Sequence, residues 1–112
     1  MVYWGGVCAV TGVAESRLLR ASHIKPWARC ESDAERLDAH NGLLLAAHLD
    51  AAFDAGLISF EDGGTILIAE QFASADRAAL GIHGQLALRQ VSPGHAANLA
   101  WHRDHVFLGF GQ

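Results

Sequence analysis

Residues 41–69, NGLLLAAHLDAAFDAGLISFEDGGTILIA, constrain the fold more than any other part of the chain. GLLLA is a short apolar strand candidate. AHLDAAFDAG follows as a helix of about two to three turns, closed by Gly56 in the C-terminal capping position. LISF, the turn EDGG and TILIA then give a hairpin signal. The class that follows is α+β, built from small pieces. Within this hydrophobic run stand His48, Asp50 and Asp54, and ionisable side chains are costly to bury unless paired or bound to something.

The flanks supply more short elements. CAVTGVAESR carries turn formers and reads as a loop or knuckle. RLLRASHI reads as a strand, stopped by Pro26 two residues after Ile24. The polar stretch ARCESDAERLDAH is expected to be a solvated loop with at most a short helix, for which Ser32 and Glu35 offer a cap. SADRAALGI predicts a short helix with Ser74 as its cap and an end near Gly81, and QLALRQV predicts a strand. PGHAANLAWHRDHVF has helical spacing, with Leu99, Trp101, Val106 and Phe107 as packing candidates.

The chain has 112 residues, one domain's worth, and 51% are hydrophobic against 18% charged, which excludes a disordered chain. No apolar run approaches the roughly 20 residues that span a bilayer, and the start MVYWGGVCAV lacks the layout of a signal peptide. A cytoplasmic location is expected. Cys8 and Cys30 are too few and too far apart for a disulfide scaffold or a paired CxxC zinc site, so both are expected to be reduced thiols. The net charge of −4 argues against a generic nucleic-acid binder. Five of the eight basic residues nevertheless fall early, at Arg17, Arg20, Lys25, Arg29 and Arg36, so a local basic patch can coexist with the acidic total.

Asp50 and Asp54 are four apart, which on a helix sets their β-carbons about 5–6 Å from each other on one face. Two carboxylates so spaced can grip one cation, or simply share a solvated face. His23, in ASHIKPW, ends a predicted strand and has the chemistry for proton transfer near neutral pH; it could equally be structural. Asn41 opens an Asn-Gly turn dipeptide and could tie a loop so that His23 faces the helix. His48 lies two residues before Asp50, so it either leans on the site from the first helical turn or is exposed.

CAVTG, ASHIKPW, NGLLLAAHLDAAFDAGLISF and the closing WHRDHVF together resemble an HNH endonuclease domain, in the branch found at the C-terminus of bacterial restriction-type and defence proteins. The resemblance spans roughly residues 7–107. It implies a ββα-metal (HNH, His-Me finger) core over about residues 17–56, with an added β-hairpin and C-terminal helices, in a single domain over 1–112 that is a piece of a longer protein. It implies His23 as general base, Asn41 as the loop brace, Asp50 and Asp54 as metal ligands, and His48 adjusting the site from nearby. The last motif histidine is replaced by Asp50, and Ser22 stands where many relatives place a metal ligand. An oxygen-rich shell of this kind suits Mg²⁺ or Mn²⁺. Relatives with two CxxC pairs bind structural zinc; none is expected here, and Cys8 is expected to pack as a small hydrophobe. The implied substrate is DNA, with RNA a second option, and Arg20, Lys25, Arg29 and Arg103 are the candidate phosphate contacts. With so few cations, a targeting domain in the same natural chain is expected. The alternative is an inactive module of the same fold that binds DNA or a protein.

Overall fold

The computed structural model describes residues 4–34 and 38–109. Among the described residues, the main elements are two small antiparallel sheets and three α-helices: β1 (Leu19–His23), β2 (Gly42–Ala46), α1 (Ala47–Asp54), β3 (Ile58–Phe60), β4 (Ile66–Ile68), α2 (Ser74–Leu80) and α3 (Pro93–His105). β1 pairs with β2, with Ser22 opposite Leu43 and His23 opposite Gly42. β3 pairs with β4, Ser59 lying opposite Leu67.

β2 is buried at all five positions, which explains its unbroken apolar reading; β1 is half exposed along the same ladder. β2 passes directly into α1, and α1 buries Leu49, Ala52 and Phe53 against the sheets. Its end is a Schellman motif. The Leu57 amide donates to the Ala52 carbonyl and the Gly56 amide to the Phe53 carbonyl, with Gly56 at φ +77°. The chain therefore turns at once into β3, whose Ile58, Ser59 and Phe60 are all buried. α3 closes the core with Leu99, and two histidines, His95 and His102, are buried with it.

Three local expectations need correction. QLALRQV forms no strand among the described residues; it makes one bridge, Thr65 to Ala87, because the Arg89 amide is drawn to the Ala9 carbonyl before the ladder can extend. Ser74 is the first residue of α2 and not its cap, which is Ala73, with no side-chain bond to the helix start. Trp101 is only half-buried on α3, and the helix turns His95 and His102 inward in its place. The start of α3 is firmly closed: Ser92 caps it, Pro93 fills the first turn and the His95 side chain completes a capping box. The cap expected for Ser32 with Glu35 reaches into residues 35–37, outside the described residues, as does Arg36.

Cys8 and Cys30 are free and buried. Cys8 does more than fill space: its Sγ accepts from the amides of Thr11 (3.4 Å), Val10 (3.5 Å) and Ala46 (3.2 Å). Burial raises its pKa, but the bonds from Thr11, Val10 and Ala46 outweigh that, so the thiol sits below its ordinary value. The sulfur thus staples the N-terminal knuckle to the junction of β2 and α1.

Candidate functional site

The junction of β1, α1 and α3 encloses a cavity of about 410 Å³ onto which His23, Asp50 and Asp54 all open. Ser22, Pro26, His102 and Val106 complete much of its wall. Each element contributes for a local reason. β1 ends at His23, and the chain after it is held by Asn41, which is fully buried. The Asn41 side-chain oxygen accepts from the Lys25 amide at 2.7 Å, and its Nδ2 donates to the Lys25 carbonyl at 3.1 Å and towards Cys30 Sγ at 3.5 Å. The Asn41 carbonyl also accepts from the Ile24 amide at 2.9 Å. A single asparagine thereby fixes the backbone on the C-terminal side of His23.

On the facing helix, Asp50 and Asp54 occupy consecutive turns. Buried Ser22 donates its hydroxyl to Asp54 Oδ1 at 3.5 Å, linking β1 to the second carboxylate. The Asp54 pKa is raised, first by partial burial and then by the nearby Asp50 charge, against the lowering effects of the Ser22 hydroxyl and of His23. A carboxylate whose charge is opposed first by burial and then by a neighbouring carboxylate is a place where a cation is favourable. Among the described residues, no three His, Cys, Asp or Glu side chains come together as a ready metal-binding group. The donor set is two aspartates. That fits a hard ion such as Mg²⁺, which keeps several waters and takes one or two carboxylates plus substrate phosphate oxygens, and it does not fit a closed structural zinc site.

His48 stands apart from this group. Two residues before Asp50 on a helix is more than half a turn away, and His48 lines a second, mostly apolar cavity of about 660 Å³ between α1 and α2, with Ala51, Ala55, Phe72 and Leu80. The four candidate phosphate contacts also divide. Lys25 and Arg29 lie over the Trp101 ring, at 5.6 and 5.4 Å from its centroid. Arg20 folds back on its own strand, donating to the carbonyls of Leu19 (2.8 Å) and Arg17 (3.2 Å). Arg103 is committed to the hairpin: it donates to the Phe60 carbonyl at 2.8 Å and pairs with Asp62 at 2.7 Å.

His102 was not singled out by its sequence context, yet it forms part of the cavity wall. Its ring stacks on Phe53 at 3.7 Å, nearly parallel. Nε2 lies 2.9 Å from the Phe53 carbonyl, which can only accept, so Nε2 carries the proton; Nδ1 therefore accepts from the Ser59 hydroxyl at 2.8 Å. Burial, the main cause, and the neighbouring Arg103 push its pKa down to about 4 despite the Phe53 carbonyl. His102 is thus a neutral, fixed ring beside the two aspartates.

Residues 8–61 match the family model for the HNH endonuclease. This segment is similar to the HNH endonuclease family. The HNH segment runs from the Cys8 knuckle through β1, β2 and α1 to the end of β3, so it contains His23, Asn41, Asp50 and Asp54, whereas α2 and α3 lie beyond it. No curated protein matches the chain. Among the described residues, no helix is long and apolar enough to cross a membrane.

Proposed function

We propose that this protein is a metal-dependent endonuclease that hydrolyses DNA phosphodiester bonds at the cavity between β1 and α1. The observation that carries the reading is that His23, Asp50 and Asp54, drawn from a strand end and two turns of a helix, open onto one cavity within a segment matching the HNH family. Asp50 and Asp54 hold a divalent cation, Mg²⁺ or Mn²⁺ by the hardness of the donors. When bound, the ion neutralises charge on the scissile phosphate and on the departing 3′ oxygen.

His23 accepts a proton from a water molecule as that water's oxygen bonds to phosphorus and the bond from phosphorus to the 3′ oxygen breaks. Asn41 keeps His23 aimed by fixing the Lys25 backbone. Ser22, by its bond to Asp54, orients the carboxylate for the cation. His102, neutral and stacked, adds a wall without adding charge. Contacts to backbone phosphates carry no base information, so cutting by this domain alone has little sequence preference, and a targeting domain elsewhere in the natural chain would supply it.

Plasmid nicking tests the reading. With Mg²⁺ or Mn²⁺ the protein nicks supercoiled DNA, EDTA stops it, and His23→Ala lowers the rate by about a hundredfold or more, as loss of a general base does. A His23→Ala variant that cuts as fast as the parent removes His23 from the chemistry. If parent and variant both shift DNA in a gel but neither cuts, the domain is a binding module. What favours that second reading is that, among the described residues, no third protein donor joins the aspartates.

A further inference from the structure

The cavity carries two carboxylates and the chain a net charge of −4, so a DNA strand entering it needs cations placed beside it. Two are gathered at one place. Lys25 and Arg29 both lie over the indole of Trp101, on the loop that leaves the cavity through Pro26. The His105 ring stacks on the indole at 4.4 Å and 11°, and its Nδ1 lies 2.9 Å from the Trp101 carbonyl, to which it donates. Trp101 directly precedes His102, and His105 directly precedes Val106 at the end of α3; His102 and Val106 line the cavity, as do Ile24 and Pro26 on either side of Lys25. The cation-bearing surface is therefore the rim of the cavity.

Two long cationic side chains left to themselves repel each other and lose rotamer freedom on meeting a phosphate. An aromatic face attracts both and fixes where they stand before the ligand arrives. We propose that Trp101, backed by His105, is a positioning residue that holds Lys25 and Arg29 together as a clamp for the DNA backbone phosphates flanking the bond to be cut. The proposal rests on the nuclease reading of the cavity, and it assigns to α3, which lies beyond the HNH match, a part in substrate binding.

The test uses short fluorescein-labelled DNA, single-stranded and duplex, with anisotropy measured in EDTA over a salt titration and cleavage measured separately with Mn²⁺. Trp101→Leu weakens binding about three- to tenfold and flattens the salt dependence by about one to two phosphate contacts. It raises KM while kcat changes less than about twofold, because the chemical groups are untouched. Trp101→Phe lies between, since phenyl is the weaker cation acceptor. In a Lys25→Gln/Arg29→Gln background, Trp101→Leu has no further effect. Parental affinity and salt slope in Trp101→Leu overturn the proposal, and so does a full additive loss in the charge-neutralised background, which would mean that the indole touches DNA itself. Should Trp101→Leu fail to fold, Trp101→Phe in the parent and in the neutralised background decides between the same outcomes. A parent that binds without cutting, with the losses intact, fells the nuclease reading and leaves the clamp; a parent that cuts while Trp101→Leu binds normally fells the clamp alone.

Discussion

His102 has both ring nitrogens engaged in the core, one donating to Phe53 and the other accepting from Ser59, with its ring flat against Phe53. A second proton would turn Nδ1 into a donor facing the Ser59 hydroxyl, within reach of the Arg103 charge. The folded-state pKa of about 4 lies below the ordinary 6.5, so the unfolded chain binds the proton more readily between those values. The stabilisation is complete above about pH 6.5 and is lost as pH falls towards 4, by about 3 kcal/mol in all. Urea unfolding from pH 7.5 down to about 4 should show that loss in the parent, and His102→Gln should have a flatter profile. Parallel profiles would mean that His102 is not the group responsible. The site's other residues were more legible. His23, Asn41, Asp50 and Asp54 stand in short, local patterns whose chemistry can be read from neighbours, whereas the partners of His102 lie 43 and 49 residues away in the chain. Nothing local to WHRDH distinguishes an inward ring from an outward one. For the same reason Arg103 reads as a phosphate contact in the sequence, while its bonds to Phe60 and Asp62 are visible only in the fold.

Two glycines end helices in the same backbone region but in different surroundings, which separates strain from packing at the scale of the element. Gly81 closes α2 at φ +71° with open space where a β-carbon would point. Gly56 closes α1 at φ +77°, and a β-carbon there would stand 2.3 Å from the Val106 carbonyl oxygen. That backbone is pinned, because the Gly56 carbonyl accepts from the Leu108 amide at 2.9 Å and the Val106 amide is held by the His102 carbonyl at 2.9 Å. Gly81→Ala should therefore cost about 1 kcal/mol, the left-handed penalty alone. Gly56→Ala should cost about 3 kcal/mol or more and should also lower nicking, since the displaced Val106 lines the cavity. Denaturant midpoints of the two variants check this; equal losses would mean that the end of α3 yields freely. Both glycines were readable as helix stops, and the hairpin around EDGG was readable too, because turn chemistry is local. QLALRQV also read as a strand and did not become one among the described residues. Pairing there is limited by the pull of Arg89 on Ala9, a contact 80 residues distant in the chain that no periodicity reports.

At the scale of the whole molecule, the balance of charge sets how DNA and metal depend on each other. The chain is acidic overall, and the cavity facing the strand holds Asp50 and Asp54, the Asp54 pKa being raised by partial burial and then by the Asp50 charge. Without a cation those carboxylates repel a phosphate; with one they attract it, so metal and DNA binding should be positively coupled. His23→Ala keeps the aspartates and suppresses cutting, so it isolates the coupling. Its affinity for a short duplex should rise about tenfold on replacing EDTA with Mg²⁺, a change on the scale of one short-range charge interaction near a protein surface. Adding Asp50→Asn and Asp54→Asn should act in opposite directions in the two buffers. In EDTA the affinity should exceed that of His23→Ala alone, because two repelling charges are gone, and in Mg²⁺ the gain should vanish, because the ion has lost its ligands. Retained Mg²⁺ enhancement in the triple variant would place the cation on other groups, and weaker binding in EDTA would show that the aspartates hold DNA directly. The clamp of Lys25 and Arg29 makes the first of these outcomes distinguishable from simple screening. Added salt weakens cationic contacts at the rim of the cavity, whereas a cation bound between the carboxylates and the phosphate strengthens the complex at constant ionic strength.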